Sequence, residues 1–125
     1  MIDCREVIGV PFKTHGRDLK GFDCLGLCLY LSKKVNNKNL PDVPYKDIEA
    51  NEDAVFVSES KRLYGKEKLD NPEEGCWIEF ESNRGTHIGF YIGSGMFAHA
   101  SSKHKKVVID RISGWKNKIK GYYRV

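Results

Sequence analysis

The stretch from Thr86 to Ser101 constrains this chain more than any other. Two segments with strand-like alternation, Thr86-His87-Ile88-Gly89-Phe90-Tyr91-Ile92 and Met96-Phe97-Ala98-His99-Ala100-Ser101, flank Gly93-Ser94-Gly95. That is the signature of a β-hairpin. In an antiparallel pair the side chains alternate between two faces, so loop length decides which residues share a face. A three-residue loop pairs Ile92 with Met96, Phe90 with Ala98 and Gly89 with His99. Ile88, Phe90, Ile92, Met96, Ala98 and Ala100 then form one apolar face. His87 and His99 become diagonal neighbours on the other face, with Gly89, Tyr91 and Phe97. A two-residue loop would turn one strand over and put the histidines on opposite faces. The three-residue loop is therefore expected.

Alternation begins after the turn Asn71-Pro72-Glu73-Glu74-Gly75. It predicts strands over Cys76–Phe80, Thr86–Gly93, Met96–Ser101, Lys106–Arg111 and Gly121–Val125. Upstream, residues 2–9 read as a short helix or turn. Val10-Pro11-Phe12 is extended, because a residue before proline avoids the helical region. A polar loop follows over residues 13–18, and a helix runs from Cys24 to about Lys34. Residues 36–47 are a loop, and residues 48–64 read weakly as one or two helices. Helices first and strands after predict an α+β fold, with N-terminal helices and the cysteine helix packed on a C-terminal antiparallel sheet. The 125 residues fit one domain, 1–125.

No run of residues reaches the roughly 18 apolar positions of a membrane span, and the first residues lack an apolar signal core. A protein made in the cytoplasm is expected, with no membrane partner. The net charge of +4 is uneven: residues 101–125 hold eight Lys/Arg and one acid, Asp110. Such a stretch suits an anionic polymer, nucleic acid or cell-wall glycan, but a solvated face is the simpler reading. No nucleic-acid partner is expected.

Gly21-Phe22-Asp23-Cys24-Leu25-Gly26-Leu27 reads as a turn opening into a helix. Asp23 suits the N-cap, and Cys24 is then at the first helical turn. There the unpaired N–H groups and the positive end of the helix favour a thiolate. Gly26 costs about 1 kcal/mol in a helix relative to alanine, which points to close packing. Packing this helix on the histidine face, with Gly26 and Gly89 as facing gaps, brings thiol and imidazoles together. Cys24 would attack, His87 would take its proton, and His99 would orient His87. Bland readings also fit: a buried structural cysteine, and hydrogen-bonded histidines on a half-exposed strand. Cys24, Cys28, His87 and His99 can be drawn as a Cys2His2 zinc site, but their spacing is neither a zinc knuckle nor a finger. No metal or organic cofactor is expected. His15 and His104 fall in polar loops.

Three motifs in this order, Asp23-Cys24-Leu25-Gly26-Leu27, His87-Ile88-Gly89-Phe90-Tyr91-Ile92-Gly93 and His99-Ala100-Ser101, resemble the NlpC/P60 cysteine peptidases. Gly9-Val10-Pro11-Phe12 and Gly16-Arg17-Asp18 resemble the segment before the family's cysteine, and Gly121–Val125 resembles its closing strand. The resemblance implies a papain-like α+β fold and hydrolysis of peptidoglycan stem peptides between D-γ-glutamyl and a diamino acid. It also implies Cys24 as nucleophile, His87 as general base and His99 as the orienting residue. Many members have a tyrosine where this chain has Phe12, which cannot donate to an oxyanion. The backbone N–H of Cys24 remains, with His15 or Arg17 as candidates for a second donor. Losing one such donor typically costs about 100- to 1,000-fold in rate. The Gly16-Arg17-Asp18 variant resembles versions from phages and prophages. It implies a cell-wall hydrolase acting from a virion tail, with tail proteins as partners. Two rival readings remain: a tail-tip or tail-assembly protein with weak or no activity, and a thiol amidase or transferase acting on another amide.

Overall fold

Asp23 starts the one long helix among the described residues. Its backbone is extended (φ −96°, ψ −176°), and its side chain accepts the Gly26 N–H, so the helix α1 runs over Cys24–Asn36. Asn37 ends it in the left-handed conformation (φ 54°), with its N–H on Lys33 O. That 5→1 bond is the αL form of helix cap, and the Lys38 N–H reaches back to Ser32 O. The computed structural model describes residues 1–42, 64, 66–82 and 85–125. Of the helices expected over 48–64, only Tyr64 falls within those residues.

Before α1, the chain makes turns through residues 5–9 and then a miniature ladder, β1 (Arg17–Asp18) against β2 (Gly21–Phe22). Pro11 bridges to Lys106 and Phe12 to Phe22, the extended course that Pro11 demands. After α1 come β3 (Glu67–Leu69), β4 (Trp77–Ser82), β5 (Gly85–Gly93), β6 (Met96–Ser101) and β7 (Lys106–Arg111). A 3-10 helix (Ile112–Lys118) leads into β8 (Ile119–Arg124). These strands form an antiparallel sheet of order β3-β8-β4-β5-β6-β7. The α+β expectation holds. The short β1, β2 and β3 and the 3-10 helix were not expected, since two- and three-residue strands are too short to show alternation.

The β5–β6 hairpin departs from its expected turn yet reaches the expected pairing. Gly93 pairs with Met96, so the loop is only Ser94-Gly95, both at positive φ (56° and 73°). A two-residue loop of this kind matches strand twist. Alone, it would have separated the histidines. The register shifts by one residue between Tyr91 and Gly93, and beyond this bulge Phe90 pairs with Ala98 as expected. Ile92 is the extra residue. His87 and His99 therefore share a face.

Both faces of the sheet are covered. Ile88, Phe90, Ile92, Ala98, Ala100 and Val107 are buried against Cys24, Leu25, Leu27, Cys28 and Leu31 of α1. Tyr64 stacks on Trp77 (5.1 Å between centroids), and the Trp77 indole N–H donates to Ser32 Oγ (2.8 Å), tying α1 to β4. On the other face, Ile78, Phe80 and Phe97 pack with Tyr91, Ile112 and Trp115.

This arrangement corrects the expected helix packing. α1 lies on the apolar face of Ile88 and Phe90, not on the histidine face. The gain from burying large aliphatic and aromatic side chains against the leucines of α1 decides it. Gly26 and Gly89 do not face each other. A Cβ at Gly26 would lie 1.8 Å from Gly16 O, whereas one at Gly89 would meet the rings of Phe97 (2.8 Å) and Phe80 (3.2 Å). Gly26 thus admits the loop before β1 onto α1. Gly26→Ala is expected to destabilise by about 2–4 kcal/mol, read as a lower urea midpoint, because backbone cannot yield as a side chain can.

Candidate active site

The loop preceding α1 is held by one buried carboxylate. Asp23 is wholly inaccessible. Its Oδ1 accepts the Gly26 N–H (2.7 Å) and Arg17 Nη1 (2.9 Å), and its Oδ2 accepts the His15 N–H (2.9 Å). Arg17 also donates Nε and Nη2 to the two oxygens of Asp42, at 2.9 and 3.1 Å. Its guanidinium braces the loop against the helix start through two carboxylates. His15 contributes its backbone N–H to the same brace, at a positive φ of 64°.

Cys24 is the first residue of α1 and is 1% exposed. Burial, and next the charge of Asp23, push its thiol up to about 12. The backbone amides of Ile88 and Leu25 and the charge of Arg17 pull the other way, and they lose. The helix start alone was expected to favour the thiolate; desolvation outweighs it. The Ile88 amide is free for this contact because, among the described residues, the β5–β6 ladder stops at Phe90–Ala98. Where the strands part, the N-terminus of α1 brings its sulfur to the residue next to His87. Phe12, in the position discussed above, packs its ring against the core.

On the opposite face the two imidazoles meet. His87 Nε2 lies 2.8 Å from His99 Nδ1, and His99 Nε2 lies 2.7 Å from Asp110 Oδ2. His99 is 2% exposed. The Trp115 indole stacks near His87 (6.3 Å, 27°) and stands edge-on to His99 (5.4 Å, 80°). Burial, reinforced by His99, pulls His87 down to about 3. Burial also lowers His99, against the opposing pull of Asp110. The sequence reading brought the two histidines together correctly but missed Asp110 and Trp115. Asp110 pairs with Phe97 in β7, which makes it the diagonal, same-face neighbour of His99. A lone acid in a basic segment, on the strand predicted next after Met96–Ser101, was the available signal. Trp115 had none, since the 3-10 helix that carries it is short and aperiodic.

A half-buried imidazole held neutral costs stability in acid. The unfolded chain binds a proton near pH 6.5, whereas folded His87 resists protonation down to about 3. Its contribution is complete above pH 6.5 and is lost as the pH falls through that window. Wild type is expected to lose about 1–2 kcal/mol between pH 7 and 5, above the range where carboxylates titrate. Urea midpoints of His87→Gln should fall less steeply over the same interval.

The NlpC/P60 family model matches residues 9–124, and the chain belongs to this family. The probable peptidoglycan endopeptidase LytE of Bacillus subtilis (strain 168) is 26% identical over 124 residues. The match covers 98% of this chain but 32% of LytE, so the chain spans about a third of that protein. Among solved structures, the NlpC/p60 domain of the peptidoglycan hydrolase SagA superposes with a TM-score of 0.63 at 20% identity, covering 94% of this chain and 89% of that one. NlpC1 from Trichomonas vaginalis gives a TM-score of 0.69 at 17% identity, covering 94% and 40%. A protein similar to lipoprotein, of the NLP/P60 family, from Staphylococcus aureus subsp. aureus Mu50 gives 0.68 at 21% identity, covering 95% and 37%. At these identities the structural matches establish the shared fold.

Proposed function

We propose that this protein is a cysteine endopeptidase of peptidoglycan stem peptides, cutting between D-γ-glutamyl and a diamino acid. The observation that supports the reading is the hydrogen-bonded chain His87–His99–Asp110 across β5, β6 and β7, with the Cys24 sulfur at the start of α1 against the amide of Ile88, the residue after His87. Family membership and the likeness to LytE supply the substrate class.

Before substrate binds, burial keeps the Cys24 thiol and the His87 imidazole neutral. The proton therefore leaves Sγ for His87 as the sulfur adds to the peptide carbonyl, not before. The backbone N–H of Cys24 donates to the resulting oxyanion. Collapse breaks the C–N bond, and the departing amine takes the proton from His87. His87 then draws a proton from water as the hydroxide adds to the thioester; collapse breaks the C–S bond, His87 returns the proton to Sγ, and the carboxylic acid and free thiol are released. The setting we propose is a phage or prophage virion tail acting at the cell wall, with tail proteins as partners. Its support is the resemblance of Gly16-Arg17-Asp18 to phage-borne versions.

Mass spectrometry of defined muropeptides incubated with the protein tests the reading. A new amino terminus on the diamino acid is expected. Intact muropeptides in the presence of folded protein would sink it, and cleavage at another amide would move the protein to a different substrate.

A further inference from the structure

We infer that Asp110 is a positioning residue, which fixes the proton arrangement of both histidines so that His87 Nδ1 is the basic atom. The inference rests on the thiol-peptidase reading above, and it assigns the fourth member of the chain that begins at Cys24.

Proton counting carries it. An imidazole nitrogen in a neutral ring either donates or accepts, never both. The Asp110 carboxylate only accepts, so the contact at 2.7 Å places a proton on His99 Nε2. Neutral His99 then has a bare Nδ1. That atom accepts from His87 Nε2 at 2.8 Å, which places the proton of His87 on Nε2. The remaining nitrogen of His87, Nδ1, carries a lone pair. One carboxylate thus sets two tautomers in series, and only this setting leaves His87 able to take a proton. Without an acceptor at residue 110, the reverse arrangement becomes equally available. His99 would donate from Nδ1, and His87 Nδ1 would already hold a proton.

Among the described residues, the ring contacts of the two imidazoles do not set this order. The imidazoles are walled by Phe80, Phe97 and Trp115, none of which offers an acceptor to a ring N–H; the indole of Trp115 only donates. Asp110 itself borders a cavity of about 430 Å³ lined also by Lys103, His104, Gly114, Trp115 and Lys118. Its side chain is 35% exposed. The carboxylate therefore opens into a cavity that Lys103 and Lys118 also line, while holding on its other side His99, whose side chain is 3% exposed. Strand pairing fixes its place, since His99 lies opposite Val108 and Asp110 follows two residues later on the same face.

The test is nitrogen-15 NMR of the histidine rings, with steady-state hydrolysis of muropeptides, in wild type, Asp110→Asn and Asp110→Glu. In wild type, the protonated nitrogen is expected to be Nε2 in both rings. In Asp110→Asn, whose amide can also donate, His87 should shift toward the Nδ1-protonated form. Its kcat should fall by about 10²–10⁴-fold, with KM within about threefold of wild type. Asp110→Glu should restore the Nε2 form and part of the rate. If Asp110→Asn keeps the wild-type tautomers, or keeps kcat within about threefold, the inference is wrong. If wild type cleaves no muropeptide, the peptidase reading fails, and the ring spectra still decide what Asp110 does.

Discussion

Cys24→Ala is expected to reduce muropeptide cleavage by about 10⁵–10⁶-fold, to the level of buffer, with the fold intact. The size follows from the chemistry, because without sulfur no thioester forms and His87 has no proton to receive. The stability change should stay within about 1 kcal/mol. Cys24 is 1% exposed, and alanine removes a single heavy atom from a site enclosed by α1 and β5. Thermal melts beside the rate assay separate lost chemistry from lost structure. Cleavage surviving in Cys24→Ala would mean that another group attacks. Cys4, Cys28 and Cys76 are also free and buried, and burial pushes all three above the usual thiol range.

Asp23→Ala should be the most damaging substitution for stability, by about 3–5 kcal/mol. It removes the cap of α1, worth about 1 kcal/mol by itself. It also strands the N–H groups of Gly26 and His15 and takes one of the two carboxylates from Arg17. Asp23→Asn separates charge from hydrogen bonding. It keeps an acceptor, so the loss in the urea midpoint should be smaller. It also removes the charge that, after burial, holds the Cys24 thiol high. Alkylation of Cys24, followed by mass spectrometry across pH, should show the onset of labelling shifted to lower pH in Asp23→Asn. An unchanged onset would mean that burial alone holds the thiol protonated.

The elements that could be read from sequence were those with repetition behind them. Asp23 at the N-cap, the extent of α1 and five long strands follow from capping and alternation, and the structure carries them close to the expected bounds. The shared face of His87 and His99 was reached through the wrong turn. The pattern of apolar residues demanded that pairing, and a bulge at Ile92 delivered it where a longer loop had been expected. The side on which α1 packs was misread because glycine marks close approach without naming what approaches. Gly26 meets Gly16, and Gly89 meets Phe97 and Phe80. Asp110 escaped because its role depends on β7 pairing with β6, which single-strand periodicity does not reveal. The acidity of Cys24 was misjudged for a similar reason. Helix position is local and visible, whereas desolvation is a property of the finished core.

The bulge at Ile92 also governs how this hairpin can change over generations. Between His87 and His99 the chain spends one residue on the bulge and two, Ser94-Gly95, on the turn. Dropping or adding a single residue there reverses the face of one histidine relative to the other. Changes that come two at a time keep the faces matched. Descendants of this sequence that retain the imidazole pair should therefore differ in length across this segment by even numbers, and a lone insertion or deletion should accompany loss of one of the two histidines.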